Sequence, residues 1–233
     1  MNKKVLYSVI SLVFILFVVV VSFICFGSKK SSDKVKEEVP VKVAKPFITE
    51  YSIDEVSDEG VKEIFLNNHA MAIGDSMGEG LDAYKVLYSE SVVYTRGRRI
   101  DNMIKDMPKV IEYNPKYLFL SYGANDIIKW NGDVEGFINA YKESISYIKE
   151  VLPDTIIIIN SVLPVSEKAI NNKSAFIYQS EFNNKLMELC KSMEIDFLEN
   201  SRFLLEREEP YGNDGIHPKR FFFYLWGRQM ASY

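Results

Sequence analysis

Ala70-Met71-Ala72-Ile73-Gly74-Asp75-Ser76-Met77-Gly78-Glu79-Gly80 sets a short apolar run against a glycine-flanked serine, and the fold depends on how that serine is read. As Gly-x-Ser-x-Gly, residues 74–78 describe a tight, strained strand-to-helix turn that lifts a hydroxyl above a sheet. As Gly-Asp-Ser, the same residues close a first strand and leave the partners of the serine to be found elsewhere. The surrounding chain decides between the two.

Outward from this stretch, short β-rich runs alternate with helical patterns. The runs are Ala70–Ile73, Val92–Tyr94, Tyr117–Leu120, Ile156–Ile159 and Phe197–Leu198. Between them, Ile104/Met107/Ile111, then Phe137/Tyr141/Ile145/Ile148/Leu152, then Phe182/Leu186/Leu189/Met193 recur every three to four residues, giving each helix one apolar face. Such alternation predicts an α/β fold: a doubly wound, parallel, five-stranded sheet with helices on both faces. Ligands of such sheets bind beyond the carboxyl ends of the strands, so chemistry is sought just after each one.

Four positions answer that search. Ser76 follows the first run, Gly97 in Tyr-Thr-Arg-Gly-Arg-Arg the second, and Gly123-Ala124-Asn125-Asp126 the third, while Asp214-Gly215-Ile216-His217-Pro218 precedes the last helical pattern. A serine hydroxyl needs a base within hydrogen-bond reach, and the base needs a third group to hold it. The chain has two histidines, and His69 stands at the start of the first strand, at the wrong end of the sheet. His217 is therefore the candidate base and Asp214, three residues earlier, its orienting acid. Acyl transfer also builds charge on a carbonyl oxygen. The backbone N–H groups of Ser76 and Gly97 and the side-chain amide of Asn125 are the candidate donors to it.

Ser76 in Gly-Asp-Ser, Gly97, Asn125 in Gly-x-Asn-Asp and His217 in Asp-x-x-His, in that order, resemble the four blocks of the SGNH (GDSL) hydrolase family. The resemblance covers the chain from about Tyr51 to its end and implies a flavodoxin-like α/β/α sandwich with nucleophile, two oxyanion donors and base in the blocks. It favours the Gly-Asp-Ser reading. An α/β-hydrolase places several strands before its nucleophile and its acid far from its histidine, whereas here Ser76 follows the first strand and Asp214 neighbours His217. Of the blocks, the second is matched only by a glycine after a strand.

Other residues near these motifs admit plainer readings. Asp126 is read as fixing its loop and Asp75 as stabilising its turn. Arg96, Arg98 and Arg99 flank Gly97 either as a solvated loop or, for Arg96 and Arg98, as contacts to an anionic polymeric substrate, since guanidinium groups pair bidentately with carboxylate and phosphate. Phe221-Phe222-Phe223-Tyr224-Leu225-Trp226 is the apolar face of a closing helix or a wall of the acyl pocket. No third ligand is spaced with Asp214 and His217, so no metal and no other cofactor is expected.

The whole chain has 233 residues, 47% of them hydrophobic and 26% charged, with a net charge of −4. That is a globular composition without the basic excess that nucleic-acid binding favours. Cys25 and Cys190 offer no disulfide framework. The uncharged stretch Val5–Phe26 would span roughly 33 Å as a helix, enough to cross a bilayer. It lacks the small residues of a cleavage site, which predicts an uncleaved signal anchor over residues 1–27. A Lys-, Ser- and Glu-rich linker over 28–48 and a hydrolase domain over 49–233 follow. Lysines flank the span on both sides and do not orient it; the bulk is expected outside the cell.

The expected function is that of a membrane-anchored, extracellular serine esterase hydrolysing an ester, with O-acetyl groups on a cell-envelope carbohydrate as the favoured substrate. The substrate rests on the anchor and on the resemblance. An O-acyltransferase using the same triad on an envelope glycan, and a non-catalytic envelope-binding module, are the rivals.

Overall fold

The computed structural model describes Ile53 and residues 55–233. The anchor expected over 1–27 and the linker over 28–48 lie outside the described residues. Among the described residues, no helix is long and apolar enough to cross a membrane.

In chain order the elements are α1 (Asp58–Asn67), β1 (Ala70–Gly74), α2 (Ser76–Ala83), β2 (Val92–Tyr94), α3 (Met107–Tyr113), β3 (Tyr117–Ser121), α4 (Ala124–Trp130), α5 (Val134–Val151), β4 (Ile156–Asn160), α6 (Glu167–Asn172), α7 (Gln179–Ser192), β5 (Asp196–Leu198), α8 (Arg202–Leu205) and α9 (Arg220–Ala231). All five strands pair in parallel, in the order β2-β1-β3-β4-β5. This is the doubly wound sheet that the alternation of patterns predicted.

Both faces of the sheet are covered, so β1 is buried throughout and β3 and β4 are buried except at Ser121 and Ile156. Successive side chains still alternate between two cores, as strand geometry requires. Met71 and Ile73, Leu118 and Leu120, and Ile157 and Ile159 face one core, filled by Phe137, Tyr141, Ile145 and Ile148 of α5 and by Phe182 and Leu186 of α7. Ala70 and Ala72, Tyr117 and Phe119, and Ile158 face the other, filled by Val61 and Phe65 of α1, Leu81 of α2 and Phe222, Phe223 and Trp226 of α9.

One helical face differs from its sequence pattern. Ile104 and Ile111, read as core positions with Met107, are 53% and 39% exposed, whereas Met103, Met107 and Val110 are buried. The cause is a break in the helix. Residues 100–105 form a 3₁₀ segment with Asn102 at a non-helical φ of −131°, and α3 begins only at Met107, with Pro108 in its first turn. The phase of the apolar stripe is therefore not continuous across Asp106, and a 3.6-residue period counted from Ile104 points outward.

In this strand order the chain direction of the windings reverses between β1 and β3, and the crevice beyond their carboxyl ends is where ligands sit in open α/β sheets. β1 ends at Gly74 and β3 at Ser121. Ser76 and Asn125 thus stand on either side of this switch point.

Candidate active site

Ser76 is the first residue of α2, with Asp75 as its N-cap. It is not among the residues of positive φ, so the strained strand-to-helix turn is absent and the Gly-Asp-Ser reading holds. As the first helical residue, Ser76 has a backbone N–H without an intrahelical acceptor, at the positive end of the helix dipole.

The Ser76 hydroxyl lies 2.8 Å from Nε2 of His217, across 141 residues of chain. Nδ1 of His217 lies 2.5 Å from Oδ2 of Asp214. A carboxylate only accepts, so Nδ1 carries the proton, Nε2 is left as an acceptor, and the serine O–H donates to it. Oδ1 of Asp214 accepts from the Ile216 and His217 amides at 2.9 and 3.0 Å. Burial alone would raise the Asp214 carboxyl, but the His217 ring and the two amides outweigh it and hold it down at about 2. The pair remains open to solvent: the His217 and Asp214 side chains are 45% and 47% exposed.

The histidine loop is clamped from outside. The Ser166 amide donates to the Gly215 carbonyl at 2.8 Å, Lys168 donates to the Asn213 carbonyl at 2.6 Å, and the Tyr211 hydroxyl donates to the Pro164 carbonyl at 2.9 Å. Gly215 has φ +72°, and a Cβ there would stand 2.0 Å from the Ser166 hydroxyl. The positive φ therefore favours glycine, and any side chain would also have to displace the Ser166 hydroxyl. None of these clamps was read from the sequence, because Pro164–Lys168 carry no motif.

Gly97 occupies the third position of a turn closed by the Arg98 amide on the Thr95 carbonyl at 3.0 Å, with φ +73°, as a type II turn requires. Asp106 holds this turn, accepting from Arg98 Nε and Nη2 at 2.6 and 2.8 Å and from the Thr95 hydroxyl at 3.0 Å. The guanidinium of Arg98, read as a substrate contact, is thus committed to the turn itself and only 15% exposed. Arg96 reaches out into solvent and pairs with Glu79 of α2 through both carboxylate oxygens, each at 2.5 Å. His69 packs at the far end of β1 against Tyr113, its Nε2 2.8 Å from the Tyr113 carbonyl.

Asn125, the second residue of α4, turns its amide toward α2. Nδ2 donates to Asp75 Oδ2 at 2.7 Å and to the Arg98 carbonyl at 3.3 Å. Asp75 is 1% exposed. Burial pushes its carboxyl up to about 6, against the hydrogen bonds from Met77 and Asn125. Asp126 fixes the neighbouring turn, its Oδ1 accepting from the Ile100 amide at 2.9 Å. Ser76, His217, Asp214, Asn125 and the Gly97 turn therefore converge beyond the ends of β1, β2 and β3. Among the described residues, no three His, Cys, Asp or Glu side chains are grouped to hold a metal ion.

Beside the turn that carries Ser76 is a small cavity of about 20 Å³, walled in part by Met77, Gly123, Ala124, Val162, Leu163 and Trp226. Of the aromatic run, Phe222, Phe223 and Trp226 are buried, and Trp226 also donates from Nε1 to Asn160 Oδ1 at 2.8 Å. The run serves both as a core face and, through Trp226, as a wall.

The model of the GDSL-like Lipase/Acylhydrolase family matches residues 72–220. The chain belongs to this family. As a GDSL-like acylhydrolase it is an ester-hydrolysing enzyme. Solved structures of similar fold include a GDSL-like lipase from Bacteroides thetaiotaomicron VPI-5482, 16% identical over 70% of this chain and 85% of that one, with a TM-score of 0.56. They also include a mutant acetyl-xylooligosaccharide esterase from Geobacillus Stearmophilus, 12% identical over 71% and 97%, with a TM-score of 0.52. A carbohydrate esterase family 3 protein from Talaromyces cellulolyticus is 14% identical over 69% and 93%, with a TM-score of 0.52. At such identities the likeness is one of fold. No curated protein matches the chain.

Asp126 of this GDSL-like enzyme carries a pH signature. Burial pushes its carboxyl up to about 7 from an ordinary 3.8, and its Oδ2 has no hydrogen-bond partner among the described residues. The folded state therefore keeps a proton that the unfolded state has released, and stability is lost as pH rises from about 4 through 7. Asp126→Asn keeps the acceptor for Ile100 and removes the buried charge. The variant is expected to be more stable than wild type at pH 8, by up to roughly 4 kcal/mol, with the gain fading to nothing near pH 4. Thermal melts of both proteins across this range check it; a variant less stable than wild type at pH 8 refutes it.

Proposed function

We propose that this acylhydrolase is a serine esterase that removes O-acetyl groups from a cell-envelope carbohydrate. Residues 1–27 would anchor it in the membrane, 28–48 would tether it, and the domain over 49–233 would work outside the cell. The observation that carries the mechanism is the relay from Ser76 through His217 to Asp214 at 2.8 and 2.5 Å. In the first half-reaction His217 Nε2 takes the hydroxyl proton as Ser76 Oγ attacks the acetyl carbonyl. Asp214 holds the imidazole and stabilises its cationic form. The Ser76 and Gly97 amides and the Asn125 side chain receive the charge that develops on the carbonyl oxygen. The imidazolium then protonates the departing sugar oxygen, and a water deprotonated by His217 releases acetate from the serine.

Four observations support this substrate. The cavity lined by Asp75 and Met77, the residues on either side of Ser76, has room for about one water-sized group, the size of an acetyl methyl. The half-exposed His217 and Asp214 leave a bulky polymer free to approach and leave water free to reach an acyl-enzyme, which favours hydrolysis over transfer to a second sugar. Two of the fold neighbours are themselves carbohydrate esterases by name. Arg96, exposed beside the Gly97 turn, would meet an anionic polymer by exchanging its pairing with Glu79.

The expectation is that kcat/KM for p-nitrophenyl esters falls at least about 10-fold from acetyl to butyryl. On an O-acetylated glycan, free acetate should be released even when an acceptor glycan is present. Equal turnover of octanoyl esters refutes the acetyl reading. Mass-spectrometric detection of acetylated acceptor with free acetate near background replaces the hydrolase by the transferase.

A further inference from the structure

The carboxylate of Asp75 ties together two groups that the proposed reaction needs at a fixed separation. Oδ1 accepts from the Met77 amide at 2.9 Å and so caps α2, the helix that begins with Ser76. Oδ2 accepts from Nδ2 of Asn125 at 2.7 Å, 50 residues further along the chain. The side chain is buried among these partners. Both neighbours of the carboxylate are donors, so residue 75 must accept at both of its ends. A carboxylate does so, whereas an amide would set its own NH₂ against one donor. The same logic fixes Asn125. Its two neighbours, the Asp75 carboxylate and the Arg98 carbonyl, only accept, so Nδ2 must face them and the amide cannot be turned round.

We infer that Asp75 is a positioning residue for ester hydrolysis, orienting the Asn125 amide toward the nucleophile's own turn. This rests on the proposed role of Asn125 as an oxyanion donor. One amide hydrogen is spent on Asp75. The second, now in a long 3.3 Å contact with the Arg98 carbonyl, is the one an oxyanion takes over, since a contact of that length is readily given up. Because Asp75 is covalently next to Ser76, the donor is referenced to the attacking oxygen rather than to a distant part of the sheet.

Asp75→Ser separates this role from simple helix capping, because serine caps a helix about as well as aspartate yet has no counterpart of Oδ2, the oxygen that reaches Asn125. The variant is expected to melt within a few degrees of wild type. Its kcat on a p-nitrophenyl acetate substrate should fall about 10–100-fold with KM nearly unchanged, as for a misplaced catalytic group. In an Asn125→Ala background, Asp75→Ser should lower kcat no further, because the two residues act through one contact. Should Asp75→Ser fail to fold, Asp75→Asn preserves volume and is expected to show the same kcat loss and the same lack of additivity. Wild-type kcat in the residue-75 variants, beside a strongly impaired Asn125→Ala, overturns the inference and leaves the oxyanion role standing. Equal losses in both backgrounds overturn it by showing that Asp75 acts on something other than Asn125. A near-normal Asn125→Ala instead overturns the oxyanion role itself.

Discussion

Ser76→Ala is expected to lower kcat by about 10⁶-fold, the cost of deleting a serine nucleophile from a relay of this kind, while leaving the melting temperature almost unchanged. The fold has little to lose. Ser76 is the first residue of α2, alanine is a good helix former, and the cap that anchors this helix comes from Asp75, not from the serine hydroxyl. The chemistry loses its centre, because the atom 2.8 Å from His217 Nε2 is gone. Residues that act as a unit do not contribute additively, so His217→Ala and the double variant should each be about as impaired as Ser76→Ala alone. Steady-state kinetics on a p-nitrophenyl ester, with a serine-directed phosphonate to mark the nucleophile by mass, test this. Undiminished turnover in Ser76→Ala, or phosphonate on another residue, would show that the relay is not the reaction centre.

Asn125→Ala is expected to lower kcat by about 10²–10³ with little change in KM, the loss associated with one oxyanion donor. The asymmetry follows from what the amide would contact. It would meet the carbonyl oxygen mainly as that oxygen becomes charged, so its removal raises the barrier more than it weakens ground-state binding. Asn125→Asp should be worse still, because a carboxylate there would face Asp75, now 2.7 Å from Nδ2, and would repel the developing oxyanion. A rise in KM at constant kcat would recast Asn125 as a binding residue only.

Much of this site was legible because its key spacings are local. Asp214 and His217 share one short loop, where the acid meets both the ring and the backbone three residues on. Ser76 and Asn125 each follow a strand end, and the alternating apolar runs that mark those strands are set by the two-residue period of the β backbone. The phase error at Ile104 and Ile111 has a similarly physical origin: periodicity presumes an unbroken helix, and the non-helical Asn102 interrupts it.

The sequence by itself determined the fold class, the order of the strands along the chain, and the residue types able to perform acyl transfer, because backbone propensity, apolar period and short-range loop chemistry act between neighbours. Only the tertiary structure decided how those residues are held. That Asp75 meets Asn125, and that the Ser166 amide donates to the Gly215 carbonyl, depend on which loops converge once the five strands lie side by side. Buried donors and acceptors find partners across tens of residues because desolvation penalises any left unpaired, and that pressure acts through space and leaves no spacing rule in the chain.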